Sequence, residues 1–404
     1  MEAVINLSNR LTSSVDLSFQ RTLLHEIDWS QRLIEIRGSR GVGKTTLLLQ
    51  KSNEIRLNGG KVVYASLDTP YFYSNSLFEF ANEFTKYGGT HLFLDEVHRY
   101  PSKSKHSDWS LEIKNIYDAF PELKIVYSGS SILHLYKGKG DLSRRKAGYL
   151  LNGLSFREYL AFNKIIDHRK VSLEEIIAKH EEIAQDIVHK IRPLPHFKNY
   201  LKVGFYPFYA GNESIYYQQL QEMVNQIIDS DLPYLATISQ GAQEQLKRLL
   251  GAISSTVPYV PNMKKLAELI HVTDHRTLLK YLHLLEQAQL ISLLRSNSKG
   301  NKILEKPDKI FLNNTNLKNA LSLHNNDSGG DREAFFYNQL SQNVSLNYPK
   351  KGDFIVNNKY IFEIGGKSKT NKQIIKEVNA YIASDDIEIG FGNKIPLWLF
   401  GFLY

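Results

Sequence analysis

Residues 38–45 read Gly38-Ser39-Arg40-Gly41-Val42-Gly43-Lys44-Thr45, which meets every fixed position of the phosphate-binding pattern G-x-x-x-x-G-K-[ST]. The stretch follows an apolar alternating run (Leu33, Ile34, Ile36) and precedes Thr46-Leu47-Leu48-Leu49-Gln50. It therefore lies between a predicted strand and a predicted helix, where such a loop has to be. Gly38, Gly41 and Gly43 allow the backbone to take positive φ and turn its N–H groups onto phosphate oxygens. Lys44 is placed to reach the β- and γ-phosphates, and the Thr45 hydroxyl to ligate Mg²⁺. Ser39, Arg40, Val42 and Thr46 complete the expected cradle, and the helix that starts here adds its positive dipole end. The pattern predicts a nucleoside triphosphate ligand.

A second stretch supplies what the first lacks. Thr90-His91-Leu92-Phe93-Leu94-Asp95-Glu96 is an apolar run that ends in two acids. A buried strand stopping at Asp95 puts a carboxylate at the carboxyl edge of a parallel sheet, where ligands bind in such folds. Asp95 is the expected Mg²⁺ ligand and Glu96 the expected activator of the attacking water. A Glu directly after the metal Asp favours ATP hydrolysis over a small-GTPase mechanism. No guanine-reading Asn-Lys-x-Asp segment follows, so ATP is the expected nucleotide.

The chain has 404 residues, more than one core accommodates, so two to four domains are expected. Leu397–Tyr404, the longest late apolar stretch, is far too short to span a bilayer, and the beginning of the chain does not read as a signal peptide. A cytoplasmic protein with no membrane partner is expected. The absence of cysteine excludes disulfides, thiolate zinc sites and a cysteine nucleophile. A formal net charge of +8 permits an acidic partner such as nucleic acid.

The first 160 residues alternate between strand and helix patterns. Strands are expected at 32–37, 61–67, 90–94, 123–127 and 148–151, with helices such as 77–87 and 110–120 between them. That alternation predicts an α/β domain with a parallel sheet covered by helices on both faces. The strand between the phosphate loop and the acidic strand fits ATPases that carry their own catalytic Glu. After the fourth strand, Ser128-Gly129-Ser130-Ser131 offers hydroxyls to sense the γ-phosphate or orient water, with Ser130 the chosen candidate. Arg144-Arg145 precedes the fifth strand, where Arg145 could serve as an arginine finger, in cis or from another subunit.

Beyond the sheet, 171–191 reads as a charged amphipathic helix stopped by Pro193 and Pro195. Residues 196–255, with an acidic turn at Asp229-Ser230-Asp231, read as a helical lid or connector without chemistry of its own. Residues 263–270 and 275–288 are expected helices around a capped turn, followed by strands at 290–294 and 303–312. Helix–turn–helix followed by a basic hairpin is the layout of a winged helix, a fold used both on DNA and for protein docking. On duplex DNA, His275, Arg276 and Lys280 would enter the major groove. Arg295, Lys299, Lys302, Lys306 and Lys309 would decorate the wing, with Lys299 and Lys302 as its phosphate contacts.

The phosphate loop, Leu92-Phe93-Leu94-Asp95-Glu96-Val97-His98, Ser128–Ser131, Leu154-Ser155-Phe156-Arg157-Glu158-Tyr159-Leu160 and Val203-Gly204-Phe205-Tyr206-Pro207 occur in that order. The arrangement resembles the prokaryotic AAA-like ATPases of the archaeal type, which carry a C-terminal domain of uncharacterised function. In that family a Gly-Arg pair precedes the fifth strand, and the spacing places Arg145 on it, with Arg144 where the family has Gly. The family's C-terminal domain is similar to the PD-(D/E)xK nucleases. Glu333, Asp353 and Glu363 correspond here to the acids of that fold's metal-binding site. The lysine position holds Gly365, and Lys367 comes two residues later, so a relic of the nuclease fold is expected rather than a working nuclease. The resemblance implies ATP and Mg²⁺ as cofactors and a protein partner or homo-oligomer besides DNA. Together these readings divide the chain into an ATPase domain (1–165), a helical connector (166–255), a winged helix (256–312) and a nuclease-like tail (313–404). The rival functions are an ATP-gated DNA nuclease and a non-hydrolysing, nucleotide-dependent scaffold in signalling or defence.

Overall fold

In the computed structural model, residues 1–101, 108–135, 138–236, 238–255, 258–296, 305–322, 328–369 and 377–404 are described. Two compact units emerge. The first comprises Met1–Gly153 with Ser230–Thr237, the second Leu154–Asp229 with Ile238–Tyr404.

The first unit is built on five parallel strands, β1 (Leu33–Gly38), β2 (Val62–Ser66), β3 (His91–Asp95), β4 (Lys124–Ser130) and β5 (Ala147–Leu150). Their order is β2-β3-β4-β1-β5, so β4, late in sequence, separates the phosphate-loop strand from the acidic strand. The three central strands β3, β4 and β1 are buried on both faces, which is why they read as continuous apolar runs. Edge strand β5 alternates instead between half-buried and exposed residues. The other edge is partly covered by the Glu2–Ser14 helix, whose Ser8 hydroxyl accepts the Tyr64 backbone N–H at 2.8 Å.

The second unit is helical and then mixed. Its motif Leu154–Leu160 starts a helix (Phe156–Phe162) with a Ser155/Glu158 capping box. The Ser155 hydroxyl also donates to the Tyr404 carbonyl at 2.7 Å. Phe156 packs edge-on against Phe197 (5.4 Å between ring centres), which in turn meets Phe335 at 4.7 Å. This motif is thus a packing anchor of the second unit. Three corrections concern the helices of 171–236. The amphipathic helix is Leu173–Val188, interrupted at Lys179 (φ −137°). Pro193 begins a new helix, Pro193–Asn199, because its fixed φ suits a first turn. Asp229–Asp231 is π-helical rather than a turn, and continues into the Leu232–Ala236 helix, which is counted with the first unit.

Helices Gln240–Ser254, Met263–Leu269 and His275–Gln287 pack together beside an antiparallel pair, β6 (Ile291–Leu294) and β7 (Lys309–Leu312). The expected turn at 299–302, with Lys299 and Lys302, lies outside the described residues. The tail is a five-stranded mixed sheet of β8 (Leu346–Asn347), β9 (Phe354–Val356), β10 (Tyr360–Gly365), β11 (Ala380–Ser384) and β12 (Lys394–Pro396), ordered β12-β11-β10-β9-β8. β10 runs antiparallel to β9 and parallel to β11. Glu333 sits inside the helix Ser328–Leu340.

Candidate functional site

The phosphate loop leaves β1 at its carboxyl edge and enters helix Lys44–Leu57. Gly41 (φ 81°) and Gly43 (φ 99°) hold the left-handed conformations that open the loop. Gly38 is needed for a different reason. A Cβ there would lie 2.3 Å from the Leu151 carbonyl oxygen, because β5 ends against the loop's first residue. A buried arginine missed by the sequence reading clamps the same place. Arg21 donates to the carbonyls of Val42 (2.8 Å), Asn152 (2.7 Å) and Gly153 (2.9 Å), tying the loop to the chain that follows β5.

Lys44 is buried, and its ammonium donates to the Gly38 and Ser39 carbonyls at 2.9 and 3.0 Å. Burial pulls its pKa below the ordinary lysine value against the opposing pull of Glu96 and Asp95, while Arg40 adds to the lowering. Thr45 Oγ1 lies 2.6 Å from Asp95 Oδ2, so the two expected Mg²⁺ ligands, fifty positions apart in sequence, meet. A hydroxyl and a carboxylate side by side are hard oxygen donors of the kind Mg²⁺ takes, and the residues fit that ion.

Asp95 has two further partners that sequence reasoning did not name. The Tyr64 hydroxyl donates to Oδ2 at 2.8 Å, and the Ser128 hydroxyl contacts Oδ1. Burial, with Asp95 beside it, pushes the Tyr64 phenol well above its usual value and keeps it a proton donor. Within Ser128–Ser131 it is therefore Ser128 that touches the acid. Ser130 closes β4 opposite Gly38 and stays next to the loop.

Glu96 follows directly and is only partly buried. Its backbone is left-handed (φ 51°, ψ 44°), an uncommon state for a side chain without a local reason for it. A single 3₁₀ turn, Val97–Arg99, comes next and brings back two more groups. His98 Nε2 lies 3.3 Å from Glu96 Oε2. Arg99 donates to Asp231 Oδ1 at 2.7 Å and to the Ser230 hydroxyl at 3.2 Å. Arg40, from the phosphate loop, reaches the same Asp231 oxygen at 3.4 Å. Burial raises the Asp231 carboxyl, but His98, Arg40 and Arg99 outweigh it and hold the group below the usual carboxylate range. The His98 Nε2 atom lies 3.8 Å from the same Asp231 oxygen. The stretch read as a connector without chemistry thus places a carboxylate in the nucleotide site. Nothing local in Asp229-Ser230-Asp231 signals this, because only the tertiary fold brings it to the loop.

Arg145 requires the opposite correction. It lies just before β5, at the amino edge of the sheet, with Nε 3.2 Å from Asp118 Oδ1. The phosphate loop is at the carboxyl edge, so Arg145 does not serve its own chain's nucleotide.

In the second unit, His275, Arg276 and Lys280 are exposed near the start of helix His275–Gln287, with Asp274 as its cap. Two expected wing cations are engaged elsewhere. Arg295 forms a two-pronged pair with Glu286 (3.0 and 3.1 Å), and Lys309 lies 2.8 Å from Glu333 and 3.3 Å from Asp353. Lys306 is exposed. The third acid, Glu363, is buried against Lys369 at 2.6 Å. Lys367 is exposed, so the lysine brought to the acid is the one six positions on. Its side chain crosses Gly365, where a Cβ would stand 2.6 Å from Lys369 Cγ. The three acids of the nuclease resemblance are therefore each paired with an ammonium. Among the described residues, no group of three His, Cys, Asp or Glu side chains is arranged to hold a metal ion.

Five parallel strands in this order, the loop and the acidic strand beside β4 define an AAA-type P-loop ATPase domain. Comparison with known families agrees: residues 30–160 match the model described as AAA domain, and residues 194–328 match a domain of unknown function. Among solved structures, the chain is similar to a Walker-type ATPase of Pyrococcus abyssi, at 14% identity and TM-score 0.42, covering 75% of this chain and 95% of that one. It is also similar to AMPPCP-bound DnaA from Aquifex aeolicus, at 17% identity and TM-score 0.27, covering 70% and 87%. A third similarity is to the Aeropyrum pernix ORC1 protein in complex with DNA, at 12% identity and TM-score 0.29, covering 79% and 91%. No curated protein sequence matches the chain. Among the described residues, no helix is long and apolar enough to cross a membrane.

Proposed function

We propose that this chain binds ATP at the Gly38–Thr46 loop and hydrolyses it, using the nucleotide state as a switch. The observation that carries the reading is the meeting of Thr45 and Asp95 at 2.6 Å, with Glu96 as the next residue. Lys44 exchanges its two backbone carbonyl partners for phosphate oxygens, and the loop N–H groups and helix terminus take the remaining charge. Thr45 and Asp95 are the residues that would hold Mg²⁺, which supplies positive charge to the phosphates when bound. Tyr64 and Ser128 keep the Asp95 carboxylate oriented. Glu96 accepts the proton of the attacking water. Lys44→Ala is expected to abolish nucleotide binding, and Glu96→Gln to keep binding while losing turnover. Turnover by Glu96→Gln close to that of the unaltered chain would remove Glu96 from this role.

The switch acts, in this reading, on duplex DNA or a protein partner through a winged helix within 256–312. The exposed His275, Arg276 and Lys280 support it. The tail (313–404) is read as a nuclease-like relic, since Lys309 and Lys369 already neutralise its acids. Incubation with plasmid and single-stranded DNA in Mg²⁺ or Mn²⁺ tests this, and cleavage lost in both Asp353→Ala and Glu363→Ala would overturn it.

A further inference from the structure

Asp231 and its arginines are left unexplained by phosphate binding and water activation alone. The cluster is a built one. Asp231 is 2% exposed, and Arg99 and Arg40 converge on the same one of its oxygens, Oδ1. Arg40 belongs to the phosphate loop itself. Arg99 thus shares one carboxylate oxygen with a side chain of that loop. Arg99 is also tied to the expected base: its backbone N–H donates to the Glu96 carbonyl at 2.7 Å across the 3₁₀ turn. A guanidinium and a water-activating carboxylate are thus held in fixed relation, three residues apart on one tight turn.

We propose that Arg99 is a catalytic residue of this ATPase, acting in cis on the γ-phosphoryl group, and that Asp231 is its positioning residue, holding it until nucleotide arrives. The inference rests on the ATP-hydrolysis reading above. It gives Arg99 the role that sequence position suggested for Arg145. The chemistry is that of recognition by shape and charge. A phosphoryl group presents acceptor oxygens to the planar fork of a guanidinium, and here the two prongs of Arg99 are held by Asp231 Oδ1 and the Ser230 hydroxyl, so the pair is a resident stand-in for phosphate. During hydrolysis the water oxygen forms a bond to the γ-phosphorus as the bond to the β–γ bridging oxygen breaks. The water proton passes to Glu96, and ADP and phosphate leave. Arg99 neutralises the charge spread over the γ-phosphoryl oxygens in that step. A triphosphate arriving beside a buried carboxylate competes with it for Arg99, so ATP displaces the Asp231 contact and ADP, lacking the γ-phosphate, does not.

The test uses the full chain and four variants, Arg99→Ala, Arg99→Lys, Asp231→Asn and, as control, Lys44→Ala. Affinities for AMPPCP and for ADP, both with Mg²⁺, are measured by calorimetry, alongside ATP turnover and a thermal unfolding curve for each variant. Arg99→Ala and Arg99→Lys are expected to lose turnover by about a thousandfold, with ADP affinity kept. Their preference for AMPPCP over ADP falls. Asp231→Asn moves that preference the other way, by about fivefold, because the competitor is gone. Equal shifts for AMPPCP and ADP in both positions would mean a purely structural cluster and overturn the proposal, as would turnover by folded Arg99→Ala near that of the unaltered chain. If the unaltered chain binds both nucleotides without turnover, the hydrolysis reading falls and the catalytic role of Arg99 falls with it. If it binds neither, the hydrolysis reading itself falls, and this one with it; binding lost only in Lys44→Ala leaves that reading standing whatever Arg99 does.

Discussion

Replacing Arg21 by alanine is the perturbation whose size follows most directly from the structure. The guanidinium is buried and donates to three carbonyls, those of Val42, Asn152 and Gly153. Hydrogen bonds from a charged donor contribute about 1.5–3 kcal/mol each, and a buried acceptor left without its donor carries a desolvation cost of similar size. Relief from burying the guanidinium offsets part of that sum, as it does for other buried charges. A net loss of about 3 kcal/mol follows, which for a unit of this size lowers the unfolding temperature by about 6–12 °C. Because one of the three carbonyls is Val42, inside the phosphate loop, AMPPCP affinity should fall in the same variant. Arg21→Lys keeps the charge but not the fork, and should lie between the two. Thermal unfolding with and without saturating AMPPCP measures both effects. An unfolding temperature within about 2 °C of the unaltered chain, with AMPPCP affinity intact, would show that the clamp holds neither the fold nor the loop.

Three other outcomes are expected. Lys309→Met strands Glu333 and Asp353 without their shared cation and should destabilise the second unit by about 3 kcal/mol in urea unfolding; a neutral result would mean that solvent already screens the pair. Tyr64→Phe removes one of the hydrogen bonds to Asp95 and should cost about 1 kcal/mol, with nucleotide affinity retained because Thr45 and Ser128 still hold the acid. Asp231 titrates below the ordinary aspartate value of about 3.9, so its contribution is complete above about pH 4 and is lost as pH falls through the folded-state value. Asp231→Asn should therefore flatten the acid limb of the stability curve, and an unchanged limb would place the charge balance of the cluster elsewhere.

The local motifs were legible because their chemistry is local. Eight consecutive residues, Gly38–Thr45, specify a phosphate loop by their own backbone freedom and side chains. The apolar run into Asp95-Glu96 announces a buried strand ending at a ligand-bearing edge, and the alternation of apolar stretches to residue 151 announces a parallel sheet. The partners of those motifs were not legible. Arg21, Tyr64, Ser128, Arg99 and Asp231 come from five separate places in the chain, and apart from Ser128, which lies in the serine-rich turn, none carries a local pattern that distinguishes it from an ordinary polar residue. Spacing did not show that Arg145, next to β5 in sequence, stands at the amino edge of the sheet, away from its own chain's loop. It misled at Lys367, where a side chain two positions later reaches Glu363 across a bare glycine. A motif is read from the sequence when neighbouring residues bond to the same thing; which distant carboxylate meets which distant guanidinium is decided only when strand order and crossover length bring them within hydrogen-bonding reach, because a contact of 3 Å depends on the whole path of the chain between its two ends.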